Sequence, residues 1–154
     1  MRWSIIGFLA LSVAGCASGE PINTASGRPD VTAHNVDVEC IRTTLIGGMM
    51  NNGWTVRRAD GLQIVAEKAM ESTAGNMLAV ATLTRGSGGS MPNRQITLTI
   101  MPVNNDVRMV VDAQWVINPG NARSEYTIPI KWTASDQNDM TALAWGAESK
   151  CPKR

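Results

Sequence analysis

The sequence predicts an α+β fold: a two-layer sandwich, with an antiparallel meander sheet of five to six strands covered on one face by an N-terminal and a C-terminal helix. Three observations carry that expectation. Two stretches, one around Ile41 and one around Ala144, repeat apolar side chains every three or four positions, the period of one helix face. Between them lie short segments in which apolar and polar residues alternate, the period of a half-buried strand. Short turn-forming links such as Asp60-Gly61 and Asn104-Asn105 join these segments, which suits antiparallel neighbours. No repeat of fixed period is present.

The elements follow in order. In "NVDVECIRTTLIGGMMNNG", Val38, Ile41, Leu45 and Met49 make one face of the first helix. Asn35 is placed to cap it, Asp37 and Glu39 fall in its first turn, and Gly53 offers the left-handed residue that ends it. Val36, Cys40, Thr43, Gly47 and Met50 form a second, roughly opposite stripe. Gly47 and Gly48 each weaken the helix by roughly 1 kcal/mol relative to Ala. Close backbone approach would offset that cost; local strain and simple tolerance are equal alternatives. "WTVRRADGLQIVAEK" reads as a hairpin. A three-residue turn, Ala59-Asp60-Gly61, sets Trp54, Val56 and Arg58 on the same face as Leu62, Ile64 and Ala66, and is preferred to a two-residue Asp60-Gly61 turn.

"NMLAVATLTR" (76–85) reads as a third strand, and 86–93 as a loose loop whose "GSGGS" contains Gly88 and Gly89. The loop lacks the Gly-Lys-Ser/Thr ending and the helix of a phosphate cradle; a flexible surface loop able to close over a partner is the expectation. "RQITLTIMPV" is a strand with Ile96, Leu98 and Ile100 on one face. "DVRMVVDAQWVI" is another, with Val107, Met109, Val111, Ala113, Trp115 and Ile117 facing one way. "SEYTIPIKW" aligns Tyr126, Ile128, Ile130 and Trp132; Pro129 cannot donate to a ladder, so this is an edge strand or extended segment. Ser135 caps a last helix, in which Met140, Leu143, Ala144, Ala147 and Cys151 share a stripe.

The start of the chain, "MRWSIIGFLALSVAGC", has a positive residue, Arg2, an apolar stretch over 5–13, and then the small or compact residues Val13, Ala14 and Gly15. The apolar run is shorter than the roughly 20 residues of a permanent membrane helix. The segment resembles a bacterial lipoprotein signal, whose lipobox ends in a small residue followed by Cys; "VAGC" matches it throughout. The resemblance covers 1–16 only. It implies a diacylglyceryl group on Cys16, cleavage between Gly15 and Cys16, and acylation of the freed amine, palmitate being a usual chain. Three acyl chains hold a protein on a membrane essentially permanently. Ala17 stands where an Asp would resemble an inner-membrane retention signal, so the resemblance implies the outer membrane, with the domain in the periplasm (the cell membrane in a Gram-positive host). The organisation expected is therefore a signal peptide (1–15), a flexible tether (16–35) and one domain (36–154). The tether is rich in Gly, Ser and Pro and gives a reach of roughly 24 Å on a flexible-coil estimate.

Without Arg2 the chain balances about 13 Lys+Arg (14 less Arg2) against 13 Asp+Glu. That argues against a nucleic-acid partner and equally against a polybasic membrane patch, which need clustered positive charge. With Cys16 lipidated, Cys40 and Cys151 remain as a pair. Cys40 is on the second stripe of the first helix and Cys151 ends the core stripe of the last; side-by-side helices let them meet, and an envelope compartment permits the bond. A Cys40–Cys151 disulfide is expected.

Chemistry-bearing residues are few. His34 is the single histidine, so neither a triad nor a His-rich metal site is expected, and no "CxxC" occurs. Glu67, Glu71, Asp136 and Asp139 fall where solvated or capping carboxylates are usual. No catalytic residue, cofactor or metal is assigned, and a non-enzymatic domain is expected. Trp54 and Trp115 fall on apolar strand faces and read as core. Trp145 falls off the main stripe of the last helix and is the candidate interface aromatic, with Gly88 and Gly89 as candidate loop contacts. Two functions fit: an accessory subunit or adaptor of an outer-membrane assembly with an envelope protein partner, and a binding module or inhibitor for a cell-wall ligand or wall-degrading enzyme.

Overall fold

The computed structural model describes residues 20–83 and 90–153. Its elements are β1 (Asp30–Ala33), α1 (Val38–Asn51), β2 (Thr55–Asp60), β3 (Gln63–Ala69), α2 (Ala74–Leu83), β4 (Asn93–Val103), β5 (Asp106–Ile117), β6 (Tyr126–Pro129) and α3 (Ala134–Lys150). The six strands form one antiparallel sheet in the order β1-β5-β4-β3-β2, with β6 also on β5. β1 pairs with the start of β5, at Val107 to Val110, and β6 with its end, at Gln114 to Ile117. Both therefore share the edge of β5 that β4 leaves free.

Strand alternation decides which face is covered. Ile64, Leu98, Ile100, Val107 and Met109 turn to one side and pack with Ile41 of α1 and Met140, Ala144 and Ala147 of α3. Val38, Leu45, Met49 and Leu143 complete this core from the helix side. Each such aliphatic side chain contributes about 1.5–3 kcal/mol on burial, so α1 and α3 are held by their apolar stripes. This is the α+β two-layer arrangement expected, with both predicted helices as its cover.

Cys40 and Cys151 are joined, their Cα atoms 5.5 Å apart, 111 residues apart in sequence. The bond ties the start of α1 to the end of α3. Backbone hydrogen bonds extend the seam: Asp37 N–H donates to Cys151 O (2.9 Å) and Lys153 N–H to Asn35 O (2.9 Å).

Local structure departs from the sequence reading in several places. The predicted strand at 76–85 is helix α2 over its described part. Its Met, Leu and Ala favour a helix, and an unbroken apolar run does not discriminate the two periods. The predicted tether is ordered from Glu20 onward. Ala134 N–H donates to Glu20 O (2.8 Å), Pro21 bridges Thr133, and residues Asp30–Ala33 form β1. The Gly, Ser and Pro content that suggests flexibility builds a turn instead: Gly27 has φ +65°, and Thr24 Oγ1 donates to Arg28 O (2.6 Å).

The hairpin turn is Gly61-Leu62, closed by the Asp60–Gln63 pair, and the expected three-residue turn is not formed. The extra residue appears as a bulge between Val56 and Arg58. The apolar face is kept, because Val56 opposes Ala66 and Ala59 opposes Ile64; Arg58 is displaced from it. Gly61, at φ +50°, supplies the left-handed first turn position. The caps also differ by a few residues. Asp37, not Asn35, caps α1, its carboxylate accepting from Cys40 N–H (2.7 Å). Thr133, not Ser135, caps α3, and Asp136 accepts from the Thr133 N–H (2.8 Å).

Candidate functional site

The helix layer is not closed. From the cystine onward a groove of about 400 Å³ runs between α1 and α3, lined by Ile41, Leu45 and Met49 on one side and Leu143 and Ala147 on the other, with Lys150 and Asn52 as polar members. Gly48 and Gly146 also line it, and a Cβ at either would meet nothing within 4 Å. The glycines thus widen the groove; close backbone packing, one of the explanations open for Gly47-Gly48, is absent at both. Such a groove offers apolar burial, about 25 cal/mol per Å² covered. Trp145 stands elsewhere on α3, on its outward side, and is 68% exposed.

The uncovered sheet face carries a polar row that alternation places there but sequence inspection passed over. Gln114 donates to Gln95 (2.6 Å), Gln95 donates to Glu67 Oε1 (2.8 Å), and Arg57 Nε donates to Glu67 Oε2 (3.0 Å). Glu67, expected as a solvated strand-end carboxylate, is thereby engaged by two partners. The row floors a concavity of about 480 Å³, walled by Val116, Gly120, Glu125 and Thr127.

A third concavity, of about 290 Å³, lies on the helix-covered face near the end of α1. Trp54, Lys68, Met70, Glu71, Arg94 and Trp115 line it. Trp54 and Trp115, expected in the core, are only half-buried here. The Arg94 guanidinium carbon is 6.0 Å from the Trp54 ring centre, the outer range of a cation–π contact.

Two carboxyls are held below their ordinary range. The hydrogen bond from Arg108, with its positive charge, lowers Asp30 against the opposing effect of burial. The Asn35 N–H (3.0 Å) lowers Asp106 most, followed by the His34 imidazole (Nδ1 to Oδ2, 3.0 Å). His34, expected to be merely solvated, holds this exposed pairing at the start of the α1 seam.

Of the sequence-predicted site residues, Cys40 and Cys151 are brought together and Trp145 is exposed. Gly15, Cys16, Gly88 and Gly89 lie outside the described residues. Trp145 stands on α3, a different element from α2 and β4, between which the segment 86–93 falls. Among the described residues no group of three or more His, Cys, Asp or Glu is placed to share a metal ion. Comparison of the chain with known protein families, curated proteins and solved structures returns no match.

Proposed function

We propose that this chain is a bacterial envelope lipoprotein, anchored by acyl chains on Cys16, whose folded domain is a non-enzymatic interaction module: an accessory subunit or adaptor of an outer-membrane assembly. The anchor is supported by "VAGC". Among the described residues no helix is long and apolar enough to cross a membrane. The observation that carries the interaction reading is Trp145. A tryptophan 68% exposed on a helix already fixed by a core stripe and a disulfide has no packing role to explain it. Rigid, exposed aromatics of this kind are the usual anchors of protein interfaces.

The reading is tested in two steps in the expressing cell. Metabolic labelling with a palmitate analogue is expected to tag the protein and to be lost in Cys16→Ser, with loss of membrane association. A photo-crosslinking residue at exposed Ala142, beside Trp145, is expected to yield one discrete protein adduct, whereas the same residue at Asn104, in the exposed β4–β5 turn, yields none. A lipid-labelled protein with no adduct from 142 would reject the adaptor function while leaving the anchor intact.

A further inference from the structure

Of the seven arginines among the described residues, five are in ion pairs. Arg28 meets Asp112, Arg42 meets Glu39, Arg57 meets Glu67, Arg58 meets Asp60, and Arg108 meets Asp30. Arg94 is the exception that is not simply exposed. Its Nε is buried without an acceptor, and the residue as a whole is half-buried. It also stands directly opposite Lys68 across the β3–β4 ladder, on the same face. Like charges directly opposed in a sheet repel, and a buried guanidinium Nε without an acceptor is costly. Lys68 reaches away to the Asn52 carbonyl (2.9 Å), which leaves the gap between the two cations unfilled. Glu71 on the rim has a partner of its own.

The walls of this gap are indoles. Trp115 directly opposes Arg94 on β5, and Trp54 lies beside the guanidinium. The concavity is small, about 290 Å³, at the lower end of ligand-site sizes and suited to one ring rather than an extended chain. Aromatic walls take the apolar C–H face of a sugar, and a cation pair takes an anionic substituent through charge-assisted hydrogen bonds.

We propose that Lys68 and Arg94, walled by Trp54 and Trp115, form a binding site for an anionic sugar: a single saccharide ring bearing a carboxylate or a phosphate. The site is separate from Trp145 and from the α1–α3 groove, and it does not depend on the anchor or on the adaptor function.

Purified full-length protein, with its tryptophan indole N–H signals assigned, is titrated with glucuronate, glucose 6-phosphate and glucose. The two anionic sugars separate carboxylate from phosphate. At least one of them shifts the Trp54 and Trp115 signals saturably, and glucose binds at least tenfold more weakly. Raising salt to molar levels weakens the anionic sugar, as charge pairing requires. Arg94→Gln lowers its affinity at least tenfold with an unchanged or raised melting midpoint, since one of two opposed cations has been removed. Trp54→Leu lowers affinity while Trp145→Leu does not. The proposal is overturned by the absence of a saturable shift with either anionic sugar, by glucose binding equally well, or by an Asp-rich peptide producing the same shifts at the same concentration. A melting midpoint that falls in Arg94→Gln with affinity unchanged assigns Arg94 to structure and also overturns it.

Discussion

Trp145 separates two roles that one residue type usually confounds. It lies outside the stripe of Met140, Ala144 and Ala147 that holds α3 on the sheet, so removing it takes little from the core. Trp145→Ala is expected to change stability by no more than about 0.5 kcal/mol, as for other surface positions. It should abolish the position-dependent adduct formed from the neighbouring exposed position 142. A large drop in the urea midpoint would show that the indole is packed. Asp30 presents the opposite case, with little of its side chain exposed and Arg108 donating to both carboxylate oxygens. Its folded-state carboxyl titrates below the ordinary value of 3.8. A depressed acid stabilises the fold fully above the ordinary value, and that contribution is lost as pH falls through the folded-state value. Urea unfolding between pH 5 and pH 2 should therefore lose stability more steeply in the parent than in Asp30→Asn. The variant should be about 1 kcal/mol less stable at pH 7, a modest figure because half-exposed Arg108 regains water.

At the scale of elements, the sequence was legible where one face is apolar and the other is not. The stripe of Val38, Ile41, Leu45 and Met49, and the alternation of Ile96, Leu98 and Ile100, each have one solution that buries them, and the fold adopts it. Legibility failed where that contrast is missing. The run at 77–81 is apolar throughout, and in helix α2 Met77 and Leu78 stay 58% and 71% exposed while Val80 is buried, so hydropathy alone does not mark its period. β1 failed for the opposite reason: only Val31 and Ala33 of its four residues are apolar, and its place depends on β5, far along the chain. The losses offset. One predicted strand became a helix and one predicted linker became a strand, which leaves a six-stranded sheet. The candidate sites were less legible still. Trp145 could be read from its helix position, but the Lys68–Arg94 opposition and the Gln114–Gln95–Glu67 row exist only once the register is known. Gly47 gives a test at this scale. It sits inside α1 with nothing near its missing Cβ, and it is not part of the groove lining. Gly47→Ala should stabilise by about 0.5–1 kcal/mol through helix propensity alone. A destabilised variant would reveal a close contact at that position.

For the whole molecule, both ends of the described chain are fixed to the domain, and each fixation has a consequence. At the C-terminal end the cystine closes a loop of 111 residues, which contributes about 4–5 kcal/mol in the chain-entropy model. A Cys40→Ala, Cys151→Ala double variant should lose most of that in urea melts, without the added penalty of leaving one unpaired thiol. At the N-terminal end, Glu20 and Pro21 are bound to Ala134 and Thr133 at the start of α3. Only four residue steps then separate Cys16 from the fixed chain, at most about 14 Å even when fully extended. With Cys16 in a lipid leaflet, the start of α3 is held close to the headgroups, where a free 19-residue tether would let the domain tumble. Ser149 lies about 21 Å further along the helix than Ser135, at 1.5 Å per residue. The expected orientation therefore places the start of α3 toward the bilayer, and its cystine end away from it. The lipidated protein, reconstituted in vesicles carrying headgroup nitroxides, tests this with a fluorophore at Ser135→Cys or at Ser149→Cys. Quenching should be at least twofold stronger at 135 than at 149. Equal quenching at both, in protein that carries the lipid by mass spectrometry, would show that Glu20 and Pro21 detach from α3 at the membrane. Loss of quenching together with absence of the lipid would reject the anchor itself.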